Sequence, residues 1–205
     1  MNSVIPFSDV NFQQSDIIML DTCILLNYFG HGDNEPVIKQ CKDLIQNGTD
    51  NGAMFVYSGR TLEEFANIIL RDSFKKALAI PKISQAGIKA LRRKNPHQYK
   101  AIIDIAQKEI NNYRQQIGNQ PSIFPEAIES SNSEVFGLAY QIESKYDFPA
   151  YGDTEQVAVT LQNDIPYLAT NDQDYCSVNE PGLNILVDSY TYRTYLKSLP
   201  NATNT

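Results

Sequence analysis

The 205-residue sequence is poor in soft metal ligands, with only two histidines, His31 and His97, and three cysteines, Cys23, Cys41 and Cys176. The cysteines are odd in number, scattered and in no CxxC pair. That argues against a disulfide scaffold or a zinc ribbon and fits a reducing compartment, so the chain is expected to be cytoplasmic. The histidines stand in no ligand-like spacing, which disfavours zinc. No apolar run approaches membrane-spanning length, and the amino terminus, MNSVIPFSDV, lacks the basic-then-apolar pattern of a secretory signal. No membrane partner is expected. GxGxxG is missing after the first apolar run, which excludes a dinucleotide-dependent dehydrogenase. GxSxG is missing altogether, which excludes a hydrolase built on a nucleophile elbow.

Positive charge is scarce outside one stretch. Between Arg60 and Arg114 lie 12 of the 17 basic residues against five acidic ones, a balance of +7; the rest of the chain carries 5 basic and 19 acidic residues, or −14. The net charge of −7 disfavours a nucleic-acid partner at first sight. A local excess of one sign restores that prospect, because it forms either a solvated helix face or a surface for a polyanion.

What is present is an alternation of short apolar runs and amphipathic segments. Residues 1–15 read as an irregular lead-in. Ile17 to Leu20 is an uninterrupted apolar run, as in a parallel strand buried on both faces, and a helical pattern follows through Phe29. A second helix is expected over Glu35 to Gln46, ended by Asn47-Gly48, and a second strand over Ala53 to Tyr57. Thr61 with Glu64 fits a capping box opening a third helix. Asp72 to about Gln116 is helical in pattern, broken by Pro81 and Asn95-Pro96, and Gly118 to Pro125 reads as a loop. Ser133 to Tyr146 forms a further helix with Val135, Phe136, Leu138, Ala139 and Ile142 inward. Asp153 with Gln156 then resembles a cap and its N3 partner. Strands follow over Pro166 to Ala169 and Asn184 to Val187, and a last helix over Ser189 to Leu199. Helices between strands make the sheet mainly parallel, in an α/β fold.

Carboxylates recur at one kind of place. Asp21 follows strand one, Glu64 lies just past strand two, Asp153 is at a helix start, and Asp172 and Asp174 follow strand three. Ligands of open α/β sheets bind beyond the carboxyl ends of the strands. Each acid alone has a structural explanation as cap or turn. Together they need a cation, since two like charges ~4 Å apart repel by roughly 4 kcal/mol at an effective dielectric of ~20. All-oxygen ligation favours Mg²⁺ or Mn²⁺. An aspartyl phosphatase, the other use of an Asp after strand one, needs a second acid two residues on, where this chain has Cys23.

The segments LDTCILLNYF, TLEEF, GDTEQVAV and LATNDQDY, in this order, resemble the four motifs of PIN-domain ribonucleases, over Ile17 to Phe65 and Tyr151 to about Val187. The resemblance implies a single PIN-like domain over 1–205, a three-layer αβα fold with a short, mainly parallel central sheet. A basic helical insertion over approximately 72–130 separates motifs two and three. It carries the family's catalytic, metal-binding carboxylates onto Asp21, Glu64, Asp153 and Asp172, a further acidic metal position onto Asp174, and supporting hydroxyls onto Thr22 and Thr170. It implies a divalent-metal-dependent endoribonuclease using Mg²⁺ or Mn²⁺. The family includes the toxins of toxin–antitoxin pairs, so the implied partners are RNA, an antitoxin protein and a second copy of the chain. The competing reading is a PIN-like scaffold that binds RNA or protein without cutting. Glu63, next to Glu64, points about 100° away around a helix. Lys89, Arg92, Arg93, Lys94 and Lys100 are the expected RNA-binding residues, with Tyr99 and Tyr113 as candidates for stacking on bases. Two departures stand out: Cys23 occupies a position where the family commonly has Asn or Ser, and the stretch between motifs two and three is longer than in the compact toxins.

Overall fold

A computed structural model describes residues 3–128, 133–146, 148 and 151–199. Five strands form one sheet: β1 (Ser3–Pro6), β2 (Ile17–Leu20), β3 (Met54–Val56), β4 (Tyr167–Thr170) and β5 (Asn184–Val187). Their order is β1-β5-β4-β2-β3, and every pairing is parallel. Among the described residues eight α-helices accompany them: α1 (Thr22–Tyr28), α2 (Glu35–Asp50), α3 (Gly59–Leu78), α4 (Gln85–Lys94), α5 (Pro96–Gly118), α6 (Ser133–Tyr146), α7 (Tyr151–Gln162) and α8 (Ser189–Ser198). Among the described residues no helix is long and apolar enough to cross a membrane.

Helices on both faces explain why the strands are apolar throughout. In β2, Ile18 and Leu20 join a core with α1, α2, α3 and α5, through residues such as Ile24, Leu44, Phe65 and Ile117. Met19, between them, faces the opposite core with Val135, Ala139, Val157 and Ala158 of α6 and α7. The same alternation puts Leu186 of β5 in the first core and Ile185 and Val187 in the second, as the two-residue period of a strand requires. This is the three-layer α/β arrangement that the motif resemblance implies.

Four local expectations need correction. Residues 1–15 are not an irregular lead-in: Ser3–Pro6 is an edge strand on β5, followed by a 3₁₀ turn over Phe7–Asp9. The second helix does not stop at Asn47-Gly48 but runs to Asp50, and a Cβ at Gly48 would lie 2.4 Å from the Phe55 ring. Gly48 is there for close helix–strand approach, not as a breaker. The third helix starts at Gly59, before Thr61, and Ser58 caps it by accepting from the Thr61 N–H at 3.1 Å. Phe136 does not face inward; it is 64% exposed on α6, while Val135, Ala139 and Ile142 are buried.

The basic stretch forms the rest of α3, then α4 and α5, and Gly118 to Pro125 returns to the sheet as more than a loop. Phe55 N–H donates to Ser122 O at 2.8 Å, Phe124 N–H to Phe55 O at 2.8 Å, and Ile128 N–H to Tyr57 O at 2.8 Å. The return segment thereby covers the free edge of β3, which would otherwise expose unpaired backbone groups. Residues 129 and 130, the end of the expected insertion, lie outside the described residues.

Candidate functional site

Because the strands are all parallel, their carboxyl ends share one rim. Asp21 leaves β2 there as the N-cap of α1, accepting from the Thr22 N–H at 2.6 Å. It therefore does cap a helix, but its other oxygen accepts from Thr170 Oγ1 at 2.7 Å and from Cys23 Sγ at 3.0 Å. Cys23 thus contributes a thiol donor to the Asp21 carboxylate. Burial and the neighbouring Asp21 carboxylate push the Cys23 thiol far above its ordinary range, so it remains a neutral donor. Burial also raises Asp21, partly offset by those three donors.

Glu64 reaches the same rim from α3. With Ser58 as the cap, Glu64 sits in the second turn and has no capping duty. Thr22 Oγ1 donates to Glu64 Oε2 at 2.9 Å, tying α1 to α3, and Arg60 Nε donates to Oε1 at 2.8 Å. Glu63, 66% exposed, makes a longer ion pair with the same arginine, Arg60 Nη1 to Glu63 Oε2 at 3.8 Å.

Asp153 enters from the first turn of α7, which begins at Tyr151, so it is not the cap suggested by its spacing to Gln156. Its carboxyl accepts from Tyr175 OH at 3.3 Å. Burial, then the charges of Asp21, Asp172 and Glu64, push its pKa up to about 6. Asp153 thus feels each of the other three predicted acids. Asp172 follows β4 and stands exposed, its backbone N–H bonded to Thr170 Oγ1 at 3.0 Å and its carboxylate accepting from the Asp174 N–H at 3.0 Å. Asp174 is exposed as well, its pKa raised by partial burial and by Asp172. It does not figure among the charges acting on Asp153.

The site also rests on residues the motifs did not single out. Gln156, buried to 2%, accepts from Ser58 Oγ at 2.6 Å and Thr61 Oγ1 at 3.2 Å, and donates to Leu20 O at 3.3 Å. It ties α7, α3 and β2 together directly beneath the carboxylates. Its position three residues after Asp153 was visible; its burial was not. Arg60, four residues before Glu64 on one helix face, could have been found from that spacing.

The donors are all oxygens on rigid elements, and the repulsion on Asp153 is only partly relieved, which suits a hard cation in chemical type. Among the described residues, however, no group of three or more His, Cys, Asp or Glu side chains is arranged to hold a metal ion as it stands. Glu64 is turned onto Arg60 and Asp21 is filled by its donors.

The predicted RNA-binding residues are on the surface of the helical insertion. Lys89, Arg92, Arg93 and Lys94 are exposed on α4, which buries no residue, and Lys100 is exposed on α5. Tyr99 packs on Phe74 with ring centroids 5.7 Å apart, under the Arg92 guanidinium. Tyr113 is engaged by Phe29, Phe65 and His31, the last also by a hydrogen bond. Both rings have packing partners, so neither is a free stacking platform.

No family model matches the chain, and no curated protein matches it. Among solved structures, a chain of VapBC2 from Rickettsia felis, crystallised bound to a DNA fragment from their promoter, is similar over 82% of this chain and 96% of that one. The identity is 15% and the TM-score 0.44. Likeness at that level says nothing about activity, so the functional reading stands on the rim itself.

Proposed function

We propose that the chain is a divalent-metal-dependent endoribonuclease that hydrolyses RNA phosphodiester bonds, with Asp21, Glu64, Asp153 and Asp172 as its catalytic acids. The observation that carries this reading is Asp153, whose pKa of about 6 reflects burial beside Asp21, Asp172 and Glu64, acids drawn from four separate segments. Those four, with Asp174 at the margin, are the residues that would hold Mg²⁺ or Mn²⁺. When bound, such an ion supplies an acidified water and neutralises charge on the phosphate. The chain's own contribution is orientation. Thr22, Thr170 and Cys23 fix the Asp21 carboxylate, and Tyr175 fixes Asp153. Above pH 7 Asp153 is largely ionised in the metal-free chain, the form in which it would bind a cation. The exposed cations of α4 and α5 would neutralise phosphates flanking the cut, since the acidic rim repels them. A toxin role and an antitoxin partner follow from the motif resemblance, and a small overlapping upstream reading frame would support them.

The scaffold reading keeps one observation in its favour: Arg60 already neutralises Glu64, so part of the acid cluster is satisfied without metal. Incubating the purified chain with structured RNA, in Mn²⁺ or in EDTA, separates the two. Cleavage in Mn²⁺ alone is expected, whereas equally intact RNA in both tubes would favour the scaffold. Asp21→Asn should abolish that cleavage without lowering the melting temperature in EDTA, since the amide oxygen can still cap α1 while a partly buried charge is removed. A large loss of stability would reduce Asp21 to a helix cap.

A further inference from the structure

One acid at the rim already faces a cation. Arg60 Nε donates to Glu64 Oε1 at 2.8 Å while Thr22 Oγ1 occupies Oε2 at 2.9 Å, so both carboxylate oxygens are taken. The pair is largely withdrawn from water, with side-chain exposures of 35% and 32%; the Lys39–Asp43 pair of α2 has 79% and 65%. It also lies against the opening turn of α7. A Cβ added at Gly152 would stand 2.9 Å from both Arg60 Nη2 and Glu64 Oε1. Gly152 immediately precedes Asp153, so the guanidinium fills the space between α3 and the helix that brings Asp153 to the rim.

We propose that Arg60 is a built-in competitor for the divalent ion, so that Glu64 must exchange the guanidinium for the metal before the site is complete. This rests on the metal-dependent reading above. A guanidinium and a metal ion offer Glu64 the same compensation for its charge, and one carboxylate oxygen pair cannot serve both fully. Arg60 would thereby set the metal concentration at which the chain becomes active, and keep the rim folded below it.

The test uses the full chain, stripped with EDTA and titrated with Mn²⁺ by calorimetry at low ionic strength. Arg60→Gln should bind Mn²⁺ roughly three- to tenfold more tightly than wild type, the scale of a hydrogen-bonded pair between a half-exposed and a buried one. Arg60→Lys, which keeps the charge but not the Nε–H bond, should fall between and guards against a folding defect in the first variant. Arg71→Gln, an equal charge change at an exposed position eleven residues along α3, should shift the affinity less than about twofold. In nitrogen-15 spectra, the Arg60 Nε–H signal should move on adding diamagnetic Mg²⁺. Wild-type binding with no tightening in Arg60→Gln and an unmoved Nε–H signal would overturn the competitor and leave the metal site standing. Equal tightening in Arg71→Gln would reduce the effect to net charge and overturn it likewise. No uptake of Mn²⁺ by any of the chains would overturn the metal-dependent reading and the competitor with it.

Discussion

Between about pH 4 and about pH 6 the folded chain holds a proton at Asp153 that the unfolded chain has already released, because the folded pKa is about 6 against an ordinary 3.8. The native state binds more protons in that window, so the contribution of this residue to stability falls as pH rises through it and is lowest above pH 7. A shift of that size corresponds to about 3 kcal/mol at most. Asp153→Asn should therefore stabilise the metal-free chain at pH 8, by up to about 3 kcal/mol, and change it little at pH 4. Denaturation in EDTA at the two pH values measures the difference between variant and wild type, which cancels the other titrating groups. A variant less stable at pH 8 would mean that the Tyr175 hydrogen bond outweighs the repulsion at this residue. Above pH 7, where Asp153 is ionised, the proposed divalent ion would have the most repulsion to relieve.

At the scale of elements, Gly48 separates backbone propensity from packing. Glycine inside a helix costs about 1 kcal/mol relative to alanine, so Gly48→Ala would stabilise a free α2. Here the added methyl would stand 2.4 Å from one Phe55 ring atom and 2.7 Å from another, and Phe55 is fully buried. Overpacking of that kind costs about 1–3 kcal/mol. A net destabilisation of about 1–2 kcal/mol is expected in urea unfolding; stabilisation would show that α2 can move off β3. Asn47-Gly48 reads as a break in the sequence because close approach is a tertiary fact that no local pattern carries. The same holds for β1, where Ser3 and Pro6 bracket only two apolar residues and the segment becomes a strand only by pairing with β5. Strands β2, β3, β4 and β5 were legible because burial under the flanking helices writes a short apolar run directly into the chain. Asp21, Asp153 and Asp172 were legible because each stands at a strand end or helix start. Glu64 was located correctly for a partly wrong reason: Thr61 is not its capping partner, since Ser58 has that role. Gln156, Arg60 and Tyr175 support the acids through contacts between distant segments, and a single sequence does not encode which segments meet.

The whole molecule separates its charge, with +7 between Arg60 and Arg114 and −14 elsewhere. If the chain binds RNA as proposed, the basic part would draw the strand in while the acidic rim repels it. Within the basic part, α4 contributes no buried residue, so its side chains can change with little effect on the core. Arg92, Arg93 and Lys94 also complete its last turn, where positive charge suits the helix dipole at a few tenths of a kcal/mol. Reversing all three to Glu should leave the unfolding midpoint of the chain nearly unchanged and weaken RNA binding. It should also flatten the dependence of log affinity on log salt by about 2, the loss of about three single-strand phosphate contacts at ~0.7 each. Fluorescence anisotropy with a labelled RNA in EDTA, over a range of salt, measures affinity and slope without cleavage. Weakened affinity with an unchanged slope would place the lost contacts on bases instead of phosphates. Unchanged affinity and slope would remove α4 from the RNA path and leave its charge as a solvated helix face.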